Sequence, residues 1–149
     1  MEYKMEYMKE ALKEAHKALE KDEVPIGAVI VCNGRIIARA HNLTEMLNDP
    51  TAHAEMQAIT MATSYMGGKY LKDCTLYVTM EPCPMCAAAL GWAQISKVVY
   101  GASDPKRGYS LFSPNLLDFH KNGEKAKEFP GGPVVKILSF HCRGCGFDP

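Results

Sequence analysis

At 149 residues, with 47% hydrophobic and 23% charged side chains, the chain has the size of one ordinary domain and enough apolar content to build one core. Seventeen basic side chains balance seventeen acidic ones, so no overall positive charge marks a dedicated nucleic-acid binder. The opening MEYKMEYMKE is charged and periodic, and no later run approaches the roughly 18 apolar residues of a spanning helix, so a soluble, cytoplasmic protein is expected.

Met8, Ala11, Leu12, Ala15, Ala18 and Leu19 recur at three and four with Lys and Glu between them, which predicts an amphipathic helix over residues 3–21. His16 on that helix reads as a solvated or partly packed residue. VPIGAVIVCNGRIIARAHN then offers two β-rich runs around Asn33-Gly34, the strongest short hairpin signal. After a polar loop ending in Asn48-Asp49-Pro50, the spacing of Ala58, Ile59, Ala62 and Tyr65 predicts a helix over 52–66, stopped by Gly67-Gly68. TLYVTM, residues 75–80, suits a central strand, Pro84 to Ala93 is Ala-rich and helical, and KVVYGA, residues 97–102, is a further strand. Helix, strand, helix, strand in succession implies parallel strands joined by crossover helices.

Beyond Gly108 the signals weaken. A short helix interrupted at Pro114 is expected over 111–120, a charged loop over 121–132, a last strand over Val134 to Phe140, and an atypical C-terminal tail from about residue 130. The charge is uneven along the chain: residues 1–96 carry 9 basic and 12 acidic side chains, residues 97–149 carry 8 and 5. That local positive excess permits an anionic partner. One domain spanning 1–149 accounts for the whole pattern.

Six cysteines at unequal spacings suit reduced thiols or metal ligands better than a disulfide framework. Cys32 and Cys74 fall in apolar strand-like runs and read as small buried hydrophobes. Cys83 and Cys86 are different. They form a C-x-x-C directly after the TLYVTM strand, and with Cys83 as N-cap and Pro84 in the first helical position both sulfurs sit at a helix N-terminus. There the helix dipole and free N–H groups favour thiolate over thiol.

A thioredoxin-like redox pair is the rival reading of C-x-x-C beside a βαβ pattern. His53 tips the balance, because it too opens a helix, one helix-plus-strand unit earlier, and parallel topology brings such helix starts to one sheet edge. Two cysteines and one histidine supply three zinc ligands, and three with an open position is the catalytic arrangement. Glu55, two residues after His53, is left over as a general base for a metal-activated water. H-x-E joined to P-C-x-x-C is the signature of zinc deaminases acting on bases.

On these motifs the sequence resembles the cytidine-deaminase-like superfamily and, within it, the bacterial tRNA-specific adenosine deaminases. VPIGAVIV, NDPTAHAE, LYVTMEPCPMC and YGASDPKRG, from about Val24 to Gly108, carry the resemblance. It implies an α/β fold, a three-layer α/β/α sandwich with a mixed, about five-stranded sheet, assembled as a homodimer. It implies one zinc per chain on His53, Cys83 and Cys86, with Glu55 shuttling protons. Asn42, Val24, Pro25, Ala54 and Asp104 are implied as substrate contacts, with Glu23 and Glu81 flanking the motifs.

The implied partner is a tRNA anticodon stem-loop, whose wobble adenosine would become inosine. Deamination of a free base or nucleoside (guanine, cytosine or cytidine) is the alternative, since EPCPMC followed by Gly91-Trp92-Ala93 also resembles guanine deaminases. A non-catalytic, zinc-stabilised binding module is the alternative of another class. The tail KILSFHCRGCGFDP, with His141, Cys142 and Cys145, stands where the tRNA enzymes carry a terminal helix.

Overall fold

The computed structural model describes residues 4–114, 116–117 and 127–128. The elements follow in the order α1 (Met5–Glu20), β1 (Gly27–Cys32), β2 (Arg35–His41), α2 (Ala54–Met66), β3 (Cys74–Met80), α3 (Pro84–Trp92), β4 (Lys97–Ala102), a single 3-10 turn (Tyr109–Leu111) and β5 (Lys127–Glu128). The sheet is mixed, with order β2-β1-β3-β4-β5: four strands of six or seven residues and a fifth of two. β1 runs antiparallel to both β2 and β3, while β4 runs parallel to β3 and β5 parallel to β4.

Strand alternation sorts the side chains into two apolar layers. Ala28, Ile30, Leu76, Val78, Val98 and Tyr100 face Ala54, Ala58, Ala62, Ala87 and Leu90 of α2 and α3. Their neighbours Val29, Val31, Tyr77 and Val99 face Met8, Ala11 and Ala15 of α1. β1 is buried along its whole length because helices cover both faces. The molecule is thus the expected α/β/α sandwich.

Alanines at the helix–sheet contacts let the helices lie close. The closest approach is at Gly27, where an added Cβ would stand 1.9 Å from the Ala11 carbonyl oxygen and 2.4 Å from the Ala15 nitrogen. The β1–β2 hairpin closes through Asn33 and Gly34, at φ 51° and 75°. Positive φ at both turn positions is what a two-residue loop matching the strand twist requires, and it is why Asn-Gly stands there.

α2 connects β2 to β3, which point the same way but are separated by β1; α3 connects the adjacent parallel pair β3 and β4. Both helices therefore begin at the sheet edge where β2 and β3 end, which is the placement that unites the two motif halves. The region after Gly108 departs from expectation. A 3-10 turn at Tyr109–Leu111 forms where a helix from 111 is expected, ahead of Pro114, and the edge strand Lys127–Glu128 lies within the expected charged loop. The expected strand over Val134 to Phe140 and the tail from about residue 130 fall outside the described residues.

Candidate metal centre

His53 is the N-cap of α2, in extended backbone geometry (φ −72°, ψ 157°), and Cys83 is the N-cap of α3 in nearly the same geometry (φ −72°, ψ 168°). Pro84 follows Cys83 in the first turn, where its missing N–H leaves no intrahelical bond unmade. Cys86 lies one turn into α3, buried, and Glu55 lies in the first turn of α2, also buried. The extended cap residue turns the His53 side chain away from the helix surface, so two residues that would diverge on a regular helix serve one place.

His53 Nδ1 stands 3.7 Å from Cys83 Sγ and 3.5 Å from Cys86 Sγ. A tetrahedral zinc with bonds of about 2.3 Å to sulfur and about 2.0 Å to nitrogen holds such atoms about 3.6 Å apart. The three ligand atoms lie within 4.8 Å of one another, and this is the one His, Cys, Asp and Glu group of that kind among the described residues. Geometry and donor chemistry both fit zinc.

The electrostatics agree. A hydrogen bond from the Cys86 thiol, reinforced by His53, pulls Cys83 down to about 4 against the opposing effect of burial. Cys86 is pushed up by that same bond to Cys83 and by burial, and the bond to Cys83 raises His53. Burial drives Glu55 up to about 7, and its Oε1 has no hydrogen-bond partner among the described residues. An orphaned buried carboxylate oxygen is costly in a purely structural site. Here it faces the same cluster as the thiols, where it can accept and return a proton.

The chain's segment up to Ala102 matches the family model of the cytidine and deoxycytidylate deaminase zinc-binding region, over residues 1–102. The chain belongs to this family. It is a zinc-dependent hydrolytic deaminase, which removes the thiol-redox and the non-catalytic binding-module readings of the C-x-x-C. A tRNA-specific adenosine deaminase of Bacillus subtilis (strain 168) is 51% identical over 130 residues, 87% of this chain and 78% of that protein. A structure from work on A-to-I editing by tRNA:A34 deaminases at the wobble position of transfer RNA superposes with a TM-score of 0.78 at 42% identity, covering 93% of this chain and 99% of that one. A guanine deaminase from Bacillus subtilis gives 0.68 at 33% identity, covering 93% and 90%.

Two loops are tied by hydrogen bonds to the metal-binding segments. The Asn42 N–H donates to the Ile26 carbonyl (3.2 Å) and the Leu43 N–H to the Ala52 carbonyl (2.9 Å), so Val24, Pro25 and Asn42 are strung onto the chain just ahead of His53. Asn42 is buried, its Nδ2 donating to Thr44 Oγ1 (3.1 Å) and Glu23 Oε1 (3.4 Å). Ala54 is fully buried beside His53. Asp104 is nearly buried, with Oδ1 accepting from the backbone N–H of Lys106 and of Arg107, both at 3.0 Å.

Two buried glutamates do more than flank the motifs. Glu23 accepts from the Glu45 N–H (2.9 Å) and the Met46 N–H (2.7 Å), pinning the loop after Asn42. Glu81 accepts from Asp104 and Ser110 across the sheet edge. Ser110 escapes a reading of the sequence altogether. The available signal is a glutamate beside an apolar run with no cation at helical spacing, seen in E-V-P and E-P-C.

Proposed function

We propose that this deaminase converts adenosine to inosine at the wobble position of a tRNA anticodon. The observation that carries the reading is the similarity to tRNA-specific adenosine deaminases, which extends over most of the chain and takes in the metal-binding segments. The local positive excess after residue 96 supports an RNA partner. The 33% identity to a guanine deaminase makes free guanine the second substrate to test.

The reaction exchanges an amino group for a carbonyl oxygen drawn from water, releasing ammonia. Zinc, held by His53, Cys83 and Cys86, supplies the Lewis acidity that brings the pKa of a water toward neutrality. Glu55 takes a proton from the attacking water and delivers protons to the adjacent ring nitrogen and to the departing amine. With its carboxyl raised to about 7, it both accepts and donates near neutral pH. Asn42, Val24, Pro25, Ala54 and Asp104 surround the base and ribose in this reading. Backbone hydrogen bonds at Asn42 and Leu43, which tie that wall to Ile26 and Ala52, support it.

The same reading makes the chain a single deaminase domain that acts in the cytoplasm as a homodimer. Among the described residues no helix is long and apolar enough to cross a membrane. Trp92, 84% exposed, and Phe112, 66% exposed, are the kind of large apolar side chains a second copy would cover.

Ammonia release measured on an anticodon stem-loop, guanine, cytosine and cytidine tests the proposal. The stem-loop should be turned over with inosine as product, and Glu55→Ala should lose about 10²- to 10⁴-fold in rate with zinc retained. Turnover of guanine alone would overturn the substrate assignment, and undiminished turnover by Glu55→Ala would overturn the role of Glu55.

A further inference from the structure

The Glu81 carboxylate sits two residues before Cys83 and is buried, yet among the described residues its hydrogen-bond partners are neither metal ligands nor cations. Its Oε1 accepts the Asp104 N–H at 3.2 Å; its Oε2 accepts the Ser110 N–H at 3.1 Å and the Ser110 hydroxyl at 2.7 Å. The backbone completes the join: the Glu81 N–H donates to the Ala102 carbonyl (2.8 Å) and the Tyr109 N–H to the Pro82 carbonyl (2.9 Å). Gly108 leaves room for this, since an added Cβ would meet all three carboxyl atoms of Glu81 at 2.3–2.6 Å.

We propose that Glu81 is a positioning residue that fixes the loop over residues 103–110 against the Cys83 end of the metal centre and thereby sets how tightly substrate is held. Both ends of the loop, Asp104 and Ser110, hang on one carboxylate, while Asp104 itself orders the interior by binding the Lys106 and Arg107 N–H groups. A carboxylate suits the task because it only accepts, and it has lone pairs enough for all three donors. Replacing it by an amide sets an NH₂ against at least one of them. The effect falls on substrate binding, because loop order changes while the ligand set and Glu55 stay in place.

The inference rests on the loop bordering the deaminase site, so the test has one readout that needs no substrate. Zinc-loaded Glu81→Gln and Ser110→Ala are compared with the parent for zinc content, for trypsin cleavage after Lys106 and Arg107, and for KM and kcat on the anticodon stem-loop. Both variants should keep full zinc, be cut about tenfold faster in the loop, and show KM raised about tenfold with kcat within about threefold. Unchanged cleavage with unchanged KM overturns the proposal, and so does loss of zinc in step with activity, which would make Glu81 a support of the ligands instead. A parent inactive on the stem-loop sinks the tRNA assignment alone, leaving Glu81 to be judged by cleavage and by KM on the base that is accepted.

Discussion

Glu55 shows how one residue's chemistry follows from its burial. Taking the carboxylate out of water disfavours its charged form, so its pKa rises from the ordinary 4.5 to about 7. In zinc-free protein the native state keeps this proton where the unfolded chain has already released it. The contribution to stability is therefore fully present below about pH 4.5 and is lost as pH rises to about 7, amounting to about 3 kcal/mol at roughly 1.4 kcal/mol per pKa unit. Glu55→Gln has no proton to lose there. Urea unfolding in the presence of a chelator should show the parent losing about 2.5 kcal/mol relative to Glu55→Gln between pH 5 and pH 8, the rest having gone below pH 5. Parallel pH profiles would mean that the buried carboxylate is not held as described.

At the scale of elements, the contact between α1 and the sheet depends on a missing side chain. Gly27 begins β1 beneath α1, donates its N–H to buried Thr79 Oγ1 at 3.1 Å, and has the backbone of Ala11 and Ala15 where a Cβ would stand. Backbone cannot swing aside as a flexible side chain can. Gly27→Ala should therefore push α1 off the sheet at a cost of about 1–3 kcal/mol, readable as a lower denaturation midpoint, whereas Gly34→Ala in the open hairpin turn meets no atom and costs only its φ strain. Equal midpoints for Gly27→Ala and the parent would show that the helix can shift freely.

Local chemistry made most elements legible: alanines at helical spacing, Asn33-Gly34 at the hairpin, Gly67 in left-handed geometry at the end of α2. The metal-binding residues were legible for the same reason, since His53 and Cys83 are helix starts and helix starts announce themselves. The strand order was not, because nothing local in GAVIVC says that β1 will lie between β2 and β3. The partners of Glu23 and Glu81 were equally hidden. A glutamate 29 residues from Ser110 acquires that neighbour only once the sheet has assembled.

Across the whole molecule, one ion joins two crossover units. His53 and the cysteines lie at least 30 residues apart in sequence and meet through Nδ1 and the two sulfurs at the cation position. α2 and α3 also pack against each other, with Ala54, Ala58, Ala62, Ala87 and Leu90 in one apolar cluster, so the ion adds a tie at their starts to an existing contact. Binding a metal only when both helix starts are in register converts its affinity into folding stability. At a free zinc concentration about a thousandfold above its dissociation constant, that linkage adds about 4 kcal/mol, or about 10 °C in Tm for a chain of this length. Adding a strong chelator should therefore lower Tm by about that amount, restored by zinc. Cys86→Ala, which removes one ligand from α3, should melt at the same temperature with and without chelator. A parent whose Tm ignores the chelator would show that packing alone holds the two helix starts together, with the cation adding chemistry but no stability.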